Sequence, residues 1–125
     1  MDSRFSLQVV GTVLIGALFA LPVAAHHGWG GNAASQFELT GTVESAVSHA
    51  GPHATMKIRS AGQLWDITMA PPARTGRAGL KEGIIPLGAQ VTVSGHRNKD
   101  AKRFEIKTER VTWNGKTFNV YPDRD

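Results

Sequence analysis

From Phe37 onward the chain is written in short runs in which apolar and polar residues alternate, separated by glycine, proline and asparagine. A period of two is that of a strand with one buried face, and runs this short do not build core-forming helices. In the first run Phe37, Leu39, Gly41 and Val43 share a face, with Glu38, Thr40, Thr42 and Glu44 opposite. Gly41 in the middle of it predicts a bend or bulge.

The pattern repeats along the chain. Ala54 to Ser60 sets Met56 and Ile58 against Lys57 and Arg59, Ala61-Gly62 supplies a turn, and Gln63 to Met69 returns with Leu64, Trp65, Ile67 and Met69. Pro71-Pro72 closes that hairpin, because proline cannot donate to a ladder. Ala73 to Gly83 admits only a short helix weakened by its glycines. Val91, Val93 and Gly95 then alternate with Thr92, Ser94 and His96, and Arg97 to Lys102 forms a charged turn. A strand from Phe104 to Trp113, a type I′ turn at Asn114-Gly115 and a return over Thr117 to Tyr121 complete the order. This succession predicts an all-β domain, a small OB-type β-barrel of five to six strands with one short helix or loop. A six-stranded sandwich shares the pattern. Met56 and Met69 read as core fillers, and Trp65 and Trp113 as rings packed on the sheet.

Ahead of the strands lies a different kind of sequence. Arg4 precedes an apolar stretch from Val9 to Leu21, and Val23 and Ala25 are small residues at the spacing of an export cleavage site. Residues 1–25 therefore read as a signal peptide, 26–35 as a flexible N-terminal arm rich in glycine, and 36–125 as the barrel domain. The expected location is periplasmic or secreted, with no membrane span after cleavage, since the apolar run is shorter than the roughly 20 residues a spanning helix needs. The chain has no cysteine, which excludes disulfide staples, thiolate metal sites and thiol nucleophiles. Its net charge of +4 is spread without a basic run, so it favours anionic partners only weakly. The expected compartment argues against nucleic acid.

Five histidines are the residues with the most chemical reach. Cleavage after Ala25 gives His26 a free amine beside its ring nitrogen, and His27 adds a second imidazole. Such nitrogen-rich chelation favours copper. His49 and His53 flank Gly51-Pro52 in the loop between the first two strands, and His96 ends a later strand on its polar face. In an OB barrel the two strand-joining loops that hold these residues lie at the ligand rim, so the three are expected to approach one another. The expectation is a transition-metal site, most plausibly copper, made by His26, His27 and His53 with His49 and His96 as secondary ligands. The rival is a non-metal binding or protein-interaction module, in which Trp29, Arg97, Lys99 and Lys102 hold an anionic or glycan ligand at the rim, or the barrel meets another envelope protein. No nucleophile elbow, phosphate loop or close carboxylate pair points to catalysis, and Glu44 and Asp100, near histidines in sequence, have no evident orienting partner.

The junction Ala25-His26-His27, the strand Leu39-Thr40-Gly41-Thr42-Val43, the loop ending Pro52-His53-Ala54, the segment Pro72-Ala73-Arg74 and the strand Val91 to Asp100 together resemble a family of small exported bacterial proteins of unknown function. Members begin their mature part with paired histidines followed by Ser-Phe, then show LxGxV, an Asn-Pro-His loop and a VxVxGxxxKD strand. The resemblance implies an OB-type barrel and carries no biochemical activity. Here Gly28-Trp29 stands in place of Ser-Phe, and Gly51 in place of the asparagine before Pro52-His53.

Overall fold

The computed structural model describes residues 29–124. The expected cleavage junction, His26 and His27 lie outside them. The chain divides after Gly31, and the second unit carries the strands.

Six strands and one short helix follow one another as β1 (Phe37–Ser48), β2 (Thr55–Ser60), β3 (Gln63–Thr68), α1 (Pro72–Arg77), β4 (Gln90–Arg97), β5 (Glu105–Trp113) and β6 (Lys116–Asn119). β1 pairs antiparallel with β2 and β4, β2 with β3, and β4 with β5. A short parallel pairing, Asp66 to Glu105 through Thr68 to Lys107, joins β3 to β5 and closes a five-stranded barrel of the expected OB type. β6 adds antiparallel to the far half of β5.

Alternation places the core as the sequence predicts. Val43, Met56, Ile58, Trp65, Ile67, Val91, Val93, Ile106 and Val111 fill the barrel, and Met69, Leu80, Ile85 and Phe118 plug its ends. Both methionines are buried fillers. The two hairpin turns run through left-handed backbone, at Ala61 (φ 48°) with Gly62 (φ 80°) and at Asn114 (φ 53°) with Gly115 (φ 75°), the second being the predicted Asn-Gly turn. α1 is a single short helix opened by Pro72, and the Thr75 hydroxyl inside it donates to the Ala70 carbonyl at 2.8 Å.

Two glycines allow strands to approach more closely than side chains permit. A Cβ on Gly41 would lie 2.6 Å from the Arg59 carbonyl oxygen, and one on Gly95 only 2.1 Å from that of Lys107. The bulges themselves lie elsewhere. β1 has register shifts after Val43 and Ser45 against β2. On the β4–β5 ladder Ser94 faces Arg110 and Gly95 faces Thr108, so Glu109 is the extra residue of a bulge.

Candidate functional site

A concavity lies on the β2–β3 face. It has a volume of about 500 Å³ and is bounded at one end by Ser48 and Thr55, where the β1–β2 loop leaves and rejoins the sheet, and at the other by Lys102, Arg103 and Phe104 of the β4–β5 loop. Its floor comes from Lys57, Leu64, Asp66 and Thr68. The surface is mixed. Ser45, Ser48, Thr55 and Thr68 supply hydroxyls, Leu64 and Phe104 supply apolar area, and Phe104 remains exposed. This is the face on which OB barrels take ligands.

The groove's charges are arranged unevenly. Asp66 is paired with Lys57. Glu105 accepts hydrogen bonds from Thr68 Oγ1 and Asn98 Nδ2, both at 2.9 Å, with Arg103 at 3.8 Å. Both carboxylates of the groove are thus engaged. Lys102 makes no side-chain hydrogen bond or ion pair among the described residues, so its ammonium is available to a ligand.

Behind Phe104 the Arg97 guanidinium sits among three rings, 4.8 Å from Trp65, 5.4 Å from Phe104 and 5.9 Å from Phe37. It donates to the Ala101 carbonyl at 3.0 Å, while its Nε is buried with no acceptor. Stacking on rings suits a weakly hydrated guanidinium. Arg97, expected as a rim ligand, holds the groove wall in place, and Lys99 is exposed on the turn beyond it. Trp29 belongs to the first unit of the chain and is buried.

The histidines take three different positions. His49 Nε2 donates to the Leu80 carbonyl at 2.9 Å, and its backbone N–H to Glu82 at 2.7 Å, which ties the β1–β2 loop to the segment after α1. His53 is half-buried, and burial first, then the charge of Lys107, lowers its pKa from the ordinary imidazole value. His96 keeps the face of Thr92 and Ser94 that alternation predicts, but it is buried at 8% exposure. The segment Asn32–Gln36 covers that face: Gln36 reaches both Ser94 and the carboxylate of Glu109, and the Ala33 carbonyl meets the ring. Among the described residues no group of three His, Cys, Asp or Glu side chains comes together in a way that could hold a metal ion. His49, His53 and His96 therefore do not converge.

Around His96 stands a cluster that alternation hides. Its Nδ1 donates to the Ala33 carbonyl at 2.9 Å, and its Nε2 lies 3.0 Å from Glu109 Oε2. Glu109, at 1% exposure, also accepts from Gln36 Nε2 at 3.0 Å and Arg124 Nε at 3.2 Å. A β-bulge re-aims a side chain in this manner, and the Glu109 carbonyl accepts the Val120 N–H at 2.9 Å. The only sequence sign of this was Gly95, whose missing side chain admits the bulge.

Comparison with known proteins fits the all-β chain to one family. Residues 15–107 match the family of unknown function DUF6152, and the chain belongs to that family. No curated protein matches it. Among solved structures it is similar to apo TiaS, a tRNAIle2 agmatidine synthetase, with 19% identity over 62% of this chain and 18% of that one and a TM-score of 0.49. It is also similar to a ZRD-deleted TiaS mutant in complex with agmatine, with 16% identity over 68% of this chain and 26% of that one and a TM-score of 0.51. The second likeness is one of fold, and the chain spans about a quarter of that protein.

Proposed function

We propose that this protein is a non-catalytic binding module that takes an anion-bearing oligosaccharide in the groove between the β1–β2 and β4–β5 loops. The observation that carries the reading is the groove itself, on the ligand face of the barrel, with both its carboxylates engaged and the Lys102 ammonium left over. Hydroxyls along one wall match the hydrogen-bonding surface of a sugar, and the exposed Phe104 ring offers a face for stacking. Lys102 and Arg103 add attraction for a sulfate or carboxylate substituent.

The test is a nuclear magnetic resonance titration with a heparin-derived hexasaccharide, using maltohexaose as the uncharged comparison. Support consists of shifts at Thr55, Lys57, Thr68 and Lys102 to Phe104 that weaken with added salt, with affinity falling about tenfold, or about 1.4 kcal/mol, in Lys102→Ala. Absence of shifts in the groove with either sugar, or equal binding by Lys102→Ala, overturns it.

A further inference from the structure

We infer that the outer edge of β6, together with the cleft between α1 and the C-terminal segment, is a docking site for an extended acidic peptide of a partner protein. The backbone supplies the first half of the site. β6 is the last strand of the sheet and pairs with β5 alone among the described residues. The tight turn at Asn114-Gly115 makes Trp113 and Lys116 a hydrogen-bonded pair, and in an antiparallel ladder such pairs alternate with open ones. Phe118 therefore bonds inward to Val111, while Thr117 and Asn119 turn their N–H and C=O groups away from β5. Both residues are exposed, and no described residue meets those outward groups. They stand about 6.8 Å apart, the two-residue repeat of any strand laid beside them.

Side-chain charge supplies the second half. At the Asn119 end the ladder stops, because the Val120 N–H turns back to the Glu109 carbonyl at 2.9 Å and Pro122 has no N–H to offer. There a cleft of about 340 Å³ opens, lined by Arg74, Arg77, Asn119, Pro122 and Asp123. Arg74 and Arg77 are one turn apart on α1 and so share a side of it. Arg74 stacks on Tyr121, 5.2 Å from the ring centre, and reaches Asp123 only at 3.8 Å, with that carboxylate 76% exposed. Arg77 has no hydrogen bond or ion pair among the described residues. Both guanidiniums thus share one loosely placed carboxylate, and an exposed pair of that kind yields readily to a competing acid. Asp123 is the stand-in for what the cleft takes, a carboxylate carried on a peptide chain.

Charge also decides against a second copy of this chain as the occupant. Lys116, at the other end of β6 and 5.1 Å from the Phe118 ring, makes the edge cationic at both ends. Two copies paired edge to edge would set these cations against one another, a common guard against self-association. An acidic strand meets no such barrier. Its backbone completes the ladder at Thr117 and Asn119 by strand addition, and a carboxylate beyond them meets the planar fork of Arg77. No residue of this site lines the β2–β3 groove, so the inference does not rest on the binding reading above.

The experiment is a nuclear magnetic resonance titration of the full chain with an end-blocked hexapeptide of alternating glutamate and threonine. The same peptide with lysine in place of glutamate, its backbone N-methylated form and succinate serve as comparisons. Expected with the acidic peptide alone are amide shifts and slower hydrogen exchange at Thr117 and Asn119, weakening with added salt. Arg77→Ala is expected to lower the affinity about tenfold, the loss of one charge-assisted contact. Asp123→Asn removes the internal competitor and is expected to raise the affinity about twofold. N-methylation takes away the peptide's donors, leaves its charge and is expected to abolish binding. Equal binding of the lysine or the N-methylated peptide, shifts confined to the β2–β3 groove, an unaltered affinity in Arg77→Ala, or no binding at millimolar peptide overturns the inference. The same shifts with succinate alone overturn it too, since they reduce the site to one for small anions.

Discussion

Carboxylates meet cations in two settings on this barrel. On the outer face of β1–β3, Glu44 pairs with Arg59 and Asp66 with Lys57, all four with side chains more than 40% exposed. At the bulge in β5, Glu109 and His96 pair at 2% and 10% side-chain exposure, with Gln36 and Arg124 on the same carboxylate. Water competes for every partner of the first set, so those pairs form and break at little cost. Glu109 has no such recourse and is fixed by its donors. The groove floor holds the adjustable kind of pair, and the segment Asn32–Gln36 lies on the fixed kind.

Removing the fixed pair gives the largest expected effect. Glu109→Ala takes the buried carboxylate away from Gln36, His96 and Arg124 at once and is expected to cost about 3–5 kcal/mol, read as a drop in the urea midpoint with unchanged slope. Next is Gly95→Ala, which drives a Cβ to within 2.1 Å of the Lys107 carbonyl oxygen and forces apart the β4–β5 ladder that makes the bulge. Overpacking of this order costs about 1–3 kcal/mol, and the same denaturation measurement checks it. Ala33 amide protection falls with it, because the bulge aims Glu109 at His96.

How much of this was legible in the sequence divides along the same line. The strands, the Ala61-Gly62 and Asn114-Gly115 turns and the barrel order follow from alternation and turn chemistry, both local. Gly41 was read as a bend or bulge, and is instead a point of close approach to Arg59, with the bulges starting two residues later. The Glu109–His96 pair was invisible because the bulge in β5 shifts the period there by one residue. His96 stays on its expected face and is buried by the segment that covers it, beside a carboxylate 13 positions away. Glu44 and Asp100, the carboxylates near histidines along the chain, have other partners: Glu44 takes Arg59, and Asp100 accepts the Lys102 backbone N–H. Of the rim residues expected for a ligand, Lys102 lines the groove, while Arg97 is taken up by three rings that only the closed barrel brings together.

The adjustable pairs give smaller numbers. A double-mutant cycle on Lys57 and Asp66 is expected to return a coupling of less than about 1 kcal/mol that shrinks further in high salt. A larger, salt-resistant coupling breaks the contrast between the two settings, because it means that the groove floor is held as firmly as the Glu109 cluster.

The smallest effect falls on His53, which belongs to neither kind of pair. Burial and the neighbouring Lys107 both disfavour its charged form, so the unfolded chain takes up a proton at higher pH than the folded one does. Between the ordinary imidazole value and the lowered one the unfolded state holds more protons, and stability rises with pH. The stabilisation is present above that ordinary value and is lost as the pH falls through the window beneath it. Urea unfolding of His53→Gln across the mildly acidic range is expected to lose part of the wild type's decline toward acid. An unaltered decline would place the titrating group elsewhere, with the carboxylates whose partners hold them charged, Glu44 beside Arg59 first among them.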